Sequence, residues 1–237
     1  MPFINEKLIK KMRKTILIYI LLCGYISCKS QEFNVHQMLT FDEKVFKNWE
    51  IDKTYSSSNS SKYLKKRSKR VEIYYSYNRN TIQVMEYDTL SPYSRLCIYD
   101  LATKKRNFSC QYITGVPYGI SRYYDKDGNI IKEEDEDKNY LFSIPQLIEK
   151  IQIEYQRQIG KRESNIEFRK FEEKEKYYYL VVIFPLDPYD VYQKPTTNLV
   201  IDGQTGQTLY QETVQYQRDG NDSKANPIED FLRQQTK

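Results

Sequence analysis

The sequence predicts an α+β fold: an antiparallel, β-rich N-terminal part built of hairpins, followed by a helix packed on an antiparallel sheet. Three observations carry this. Short runs rich in Tyr, Ile and Val alternate with turn residues from Val71 to Glu133. One helical period follows Tyr140, and a further set of strand-like runs follows the helix.

In chain order, FDEKVFKNWEI is a short strand or helix that packs Phe46 and Trp49, and SSSNSS (56–61) leads into KYLKKRSKR (62–70). This basic stretch can contact anionic headgroups or polysaccharide. The plainer expectation is a solvated loop whose charges offset the acidic run Glu133 to Asp137. VEIYYSY and TIQVMEY flank Asn78-Arg79-Asn80, and GISRYYD and NIIKEE flank Lys126-Asp127-Gly128, where Asp-Gly is a strong hairpin signal. Tyrosine pairs such as Tyr74-Tyr75 and Tyr123-Tyr124 put one ring on each face of a sheet. Asp125, Asp127, Asn129, Glu133 and Glu136 fall at calcium-loop spacing, but Ile130 stands where the sharp turn needs glycine, so the hairpin reading holds. Ser143 and Gln146 form a capping box for a helix whose apolar stripe is Ile144, Leu147, Ile148, Ile151 and Tyr155, ending at Gly160. Strands follow at NIEFRKF, at the apolar run Tyr177 to Phe184 (long enough to be buried on both faces), and at TNLVIDG and QTLYQETV. A polar tail carries a helical turn started by Asn226-Pro227.

The first thirty residues read as an export signal. Lys10, Lys11, Arg13 and Lys14 precede an apolar block, Ile16 to Leu22. That block is far below the roughly 20 residues a membrane-spanning helix needs. Ser27-Cys28 resembles a lipobox, the motif of signal peptidase II in bacterial lipoproteins, although Tyr25 and Ile26 depart from its commonest form and match the looser versions of Bacteroidetes lipoproteins. The resemblance implies cleavage before Cys28, acylation of its thiol, and a lipid bilayer as the first partner. Each buried CH₂ contributes about 0.8 kcal/mol, so two or three acyl chains hold a protein on its membrane. Either Met1 or Met12 can open this signal. The organisation expected is a signal peptide over 1–27, a lipidated tether and polar linker over 28–70, a hairpin region over 71–140, an α+β unit over 141–214, and a polar tail over 215–237.

The formal charge of +5 belongs to the export segment. Removing its five Lys/Arg and one Glu from the 37 basic and 32 acidic residues leaves 32 and 31, so nucleic acid is not an expected partner. The chain has one histidine, His36, placed by its position in the tether. Catalysis by Ser-His-Asp triads, Cys-His dyads or His-ligated zinc needs a histidine within a folded site. No catalytic residue, metal or cofactor is singled out; a carboxylate-only glycan hydrolase is the enzyme class that stays open.

Cleavage before Cys28 leaves Cys97 and Cys110 beside that acylated residue. They flank a hairpin, SRLCIYDL against KRNFSCQY, and a two-residue turn at Thr103-Lys104 sets them directly opposite each other at a pair suited to a disulfide. A longer loop changes that parity, and a slip of one residue puts the thiols on opposite faces.

Two segments carry further resemblances. GVPYGISRYYDKDGNIIKE, through Gly115, Gly119, Tyr123 or Tyr124, and Gly128, resembles one MORN-like repeat, a family of successive β-hairpins that act in binding. Residues 143–214, through Asp202, Thr205 and Gly206, resemble a PepSY-type unit, whose family is associated with protease inhibition and envelope proteins. The expectation is a non-catalytic lipoprotein of the cell envelope, on the outer membrane, binding an envelope protein or glycan. The alternative is an inhibitor or immunity-like protein of a secreted protease or toxin.

Overall fold

The computed structural model describes residues 35–157, 159, 165–185, 194–215 and 226–235. Cys28, Gly160 and the export segment lie outside them. Two antiparallel sheets and two helices make the fold α+β and β-rich. The first sheet is an eight-stranded meander in sequence order: β1 (Glu50–Ile51), β2 (Ser61–Lys66), β3 (Lys69–Ser76), β4 (Thr81–Asp88), β5 (Tyr93–Asp100), β6 (Arg106–Ile113), β7 (Val116–Tyr124) and β8 (Ile130–Asp135). Helix α1 (Ile144–Tyr155) follows. The second sheet has the order β12 (Thr208–Val214), β11 (Thr196–Asp202), β10 (Lys176–Ile183), β9 (Ile166–Glu173), and the short helix α2 (Pro227–Gln235) comes last.

Local chemistry explains α1. The Ser143 side chain accepts from the Gln146 amide while the Gln146 side chain reaches back to the Ser143 N–H. Ile144, Leu147, Ile148 and Ile151 are buried against Phe168, Tyr179, Val181, Leu199 and Ile201 of the second sheet. The helix stops at Tyr155 rather than running to Gly160; Gln156 takes the left-handed conformation (φ 52°) expected of a terminating glycine. On the other face of the sheet, Phe231 of α2 is buried with Tyr178, Leu180, Val200 and Tyr210. With residues on both faces buried, β10 is a central strand as its apolar run implies.

Lys170 joins the two sheets. Its ammonium donates to Pro117 O (3.0 Å), Glu136 O (2.8 Å) and Asp137 Oδ1 (2.6 Å), and stands over the Tyr140 ring. Asp137 in turn accepts the Gly119 amide. A lysine this well enclosed is stable because all its donors find oxygen.

The 28–70 tether and linker is corrected over most of its length. From Val35 onward the chain is built into the fold as a strap across the first sheet. Val35, Met38, Phe41 and Phe46 are buried, and β2 and the start of β3 occupy the stretch expected as a loop. The Val35 amide donates to Glu86 (2.8 Å), Tyr99 OH donates to Met38 O (3.2 Å), and Arg106 Nη1 donates to His36 O (2.6 Å). His36 therefore sits in the folded body and not in a tether.

The Cys97–Cys110 bridge is also corrected. The register pairs Leu96 with Cys110 and Cys97 with Ser109, so the thiols point to opposite faces and both are free and buried. The cause is the turn. Asp100 Oδ1 accepts from the Ala102 and Thr103 amides and from the Thr103 hydroxyl, while Lys104 turns left-handed (φ 62°). That longer loop, with a bulge between Ile98 and Tyr99, slips the strands by one residue relative to a two-residue turn. The β11–β12 connection repeats it: Asp202 Oδ1 accepts from Gln204 N, Thr205 N and the Thr205 hydroxyl, and Gly206 takes φ 74°. Asp-x-x-Thr followed by a left-handed residue is one turn chemistry used in both sheets.

Candidate interaction surface

Strand alternation gives the first sheet two faces with different fates. On the inner face Val71, Ile73, Ile82, Val84, Cys97 and Tyr99 are buried, and the strap lies on the Glu86, Cys97 and Tyr99 positions, with Phe41 against the Tyr75 and Tyr99 rings. The other face stays partly exposed. Its register aligns Tyr74, Gln83, Ile98, Phe108, Tyr123 and Lys132 in a row across β3 to β8, with Met85 and Leu96 in the adjacent row. At about 4.8 Å per strand, five spacings make the row roughly 24 Å long.

Along the row Tyr74 and Gln83 lead to Ile98, Phe108 and Tyr123, and Lys132 closes it on β8. Tyr74 is 49% exposed. Phe108 and Tyr123 lie 5.0 Å apart between centroids, Lys132 stands over Tyr123, and the Tyr123 hydroxyl donates to Glu134 (2.8 Å), whose carboxylate raises the phenol's pKa. The tyrosine pairs divide between faces as alternation requires: Tyr75 meets Phe41 under the strap, and Tyr124 receives Arg106 at 4.3 Å.

The charged runs do not offset each other. β2 and β8 lie towards opposite edges of the sheet. Lys62 pairs with Glu43, Lys69 with Glu86 and Arg70 with Asp52, while Glu133 pairs with Arg122, Glu134 with Lys132 and Asp137 with Lys170. The two most enclosed carboxylates, Asp52 and Glu86, are thus engaged in holding strands and strap. Among the described residues no three His, Cys, Asp or Glu side chains gather as a metal-ligand set.

Within the strap, burial and the nearby Arg95, Arg106 and Arg122 lower the His36 pKa to about 4. In the unfolded chain this imidazole takes up its proton near 6.5. Between those values the unfolded state binds more protons, so stability rises with pH; the contribution is complete above about 6.5 and is lost as pH falls towards 4. Replacing His36 by Gln is expected to flatten the urea-midpoint profile over that window. A slope unchanged by the substitution would assign the acid sensitivity elsewhere.

No protein-family model, curated protein or solved structure matches the chain.

Proposed function

We propose that this chain is a lipid-anchored, non-catalytic protein of the cell envelope, on the outer membrane, whose open sheet face binds a protein partner. The observation that carries the reading is the row in which an exposed Tyr74 and half-buried Ile98, Phe108 and Tyr123 leave apolar surface open to a partner. Protein interfaces favour Tyr, Phe and Met at their centres with a polar rim. Lys132 and Glu134 supply such a rim on the β8 side. The centre of this face is Met85, Leu96 and Ile98, which favours a protein over a glycan. The lipobox-like Ser27-Cys28 and the MORN-like and PepSY-like resemblances support the same placement.

Palmitate labelling and fractionation of wild type and Cys28→Ala test the anchor. Loss of label with release of the protein is expected, and membrane retention of an unlabelled Cys28→Ala chain would sink it. A photo-crosslinking side chain at Ile98 is expected to trap a partner that Phe108→Glu abolishes without altering the unfolding midpoint. Should the trapped partner be a secreted protease or toxin, the inhibitor reading takes precedence.

A further inference from the structure

The strap shortens the tether. Val35 is fully buried with its amide on Glu86, and only seven positions separate it from Cys28 (35 − 28). A chain spans at most about 3.5 Å per residue, so an acylated Cys28 stays within roughly 25 Å of Val35. An acylated Cys28 would keep Val35 within that reach of the bilayer, and the Glu86 contact of Val35 lies nearer one end of the first sheet than the other. Glu86 lies two residues from Asp88, the last of β4, about 7 Å away; Thr81 at the opposite end is five residues off, about 17 Å.

The near end carries the β2–β3 and β4–β5 turns, joined by the Thr89 amide donating to Ser68 O (2.9 Å). Lys69 and Arg70 there pair with Glu86 and Asp52. Lys65, Lys66 and Arg67 form no ion pair among the described residues; the acids beside them are Glu50, opposite Lys65 on β1, and Asp88, which accepts from Ser68. Arg67 sits at φ 58°, where glycine would be easier, and Leu90 in the adjoining turn is 71% exposed. Cations beside a projecting aliphatic side chain suit an interface of anionic headgroups over acyl chains.

We propose that this end, with Lys65, Lys66, Arg67 and Leu90, rests on an anionic lipid bilayer, leaving the open face upright beside the membrane; this rests on the lipid anchor proposed above. The test uses the processed, lipidated protein in phosphatidylglycerol-containing and in pure phosphatidylcholine vesicles holding a headgroup-attached quencher. Fluorophores are placed at Leu90→Cys and, at the far end, Tyr77→Cys, since Cys97 and Cys110 are buried. Strong quenching at Leu90 on anionic vesicles, with little at Tyr77, is expected. Lys66→Glu with Arg67→Gly should weaken the Leu90 signal about 25-fold or more, at roughly fivefold per basic residue removed. Arg67→Gly suits the turn, so loss of fold does not confound it. Equal quenching at the two ends, or a Leu90 signal indifferent to lipid charge and to these substitutions, would overturn the proposal. Flotation of Cys28→Ala reports on the anchor separately, and the contrast between the two ends is read on whatever protein is vesicle-bound.

Discussion

Gly206→Ala is expected to cost about 3 kcal/mol, whereas Gly128→Ala at a similar backbone angle costs about 1. Both glycines have positive φ, 74° and 88°. Placing an L side chain in the left-handed region costs roughly 1–2 kcal/mol wherever it occurs. Their surroundings differ. A Cβ on Gly128 meets nothing within 4 Å, while one on Gly206 would lie 2.5 Å from the Phe142 ring. That ring has little room to retreat, because the Phe142 amide donates to Gly203 O (3.0 Å) and its carbonyl accepts from Tyr179 OH (2.8 Å). Overpacking of this kind adds about 1–3 kcal/mol. The consequence is long-range: the β11–β12 turn holds the segment that leads into α1, so a methyl group there loosens the helix from its sheet. Urea unfolding of the two variants, with unchanged m-values, gives the difference directly. Equal losses at the two positions would mean that Phe142 moves freely and that only backbone strain is felt.

What could be read from the sequence was whatever is decided locally. The α1 cap depends on two residues three apart, and its stripe on a spacing of three and four, so both were legible. The hairpins announced themselves through Asn78-Arg79-Asn80 and Asp127-Gly128. The strap was not legible, because the burial of Val35 and Met38 depends on Glu86 and Tyr99, some fifty to sixty positions away. Nor was the open face. In the run RLCIYDL both alternating sets are apolar, so period-2 patterning cannot say whether Leu96 and Ile98 or Cys97 and Tyr99 are covered. The cysteine register failed for a reason the chain does contain. Asp100-x-x-Thr103 repeats Asp202-x-x-Thr205, and reading the two together replaces the two-residue turn by the longer loop that separates the thiols. The charge runs misled because side chains pair with their strand neighbours, and the meander keeps β2 and β8 apart.

Replacing Glu86 by Ala is expected to cost about 3–5 kcal/mol and to detach the strap. The carboxylate is 3% exposed; one oxygen accepts the Val35 amide at 2.8 Å and the other pairs with Lys69 at 3.3 Å. Removing it strands a buried N–H and takes a counter-charge from an enclosed ammonium, and breaking a buried pair from one side costs in that range. Glu86→Gln keeps an acceptor for Val35 and loses only the charge, so a smaller loss, about 1–2 kcal/mol, is expected. The two variants also separate stability from strap position through Cys97. Its thiol lies 3.7 Å from Val35 O, and burial pushes its pKa up to about 11, so alkylation in the native protein is slow. With the strap released, Cys97 in Glu86→Ala should react at urea concentrations too low to unfold the chain, while Cys110, on the opposite face, stays protected. Alkylation of both thiols in parallel would mean that the strap and the sheet come apart only together, and that Glu86 holds the whole sheet rather than the strap on it.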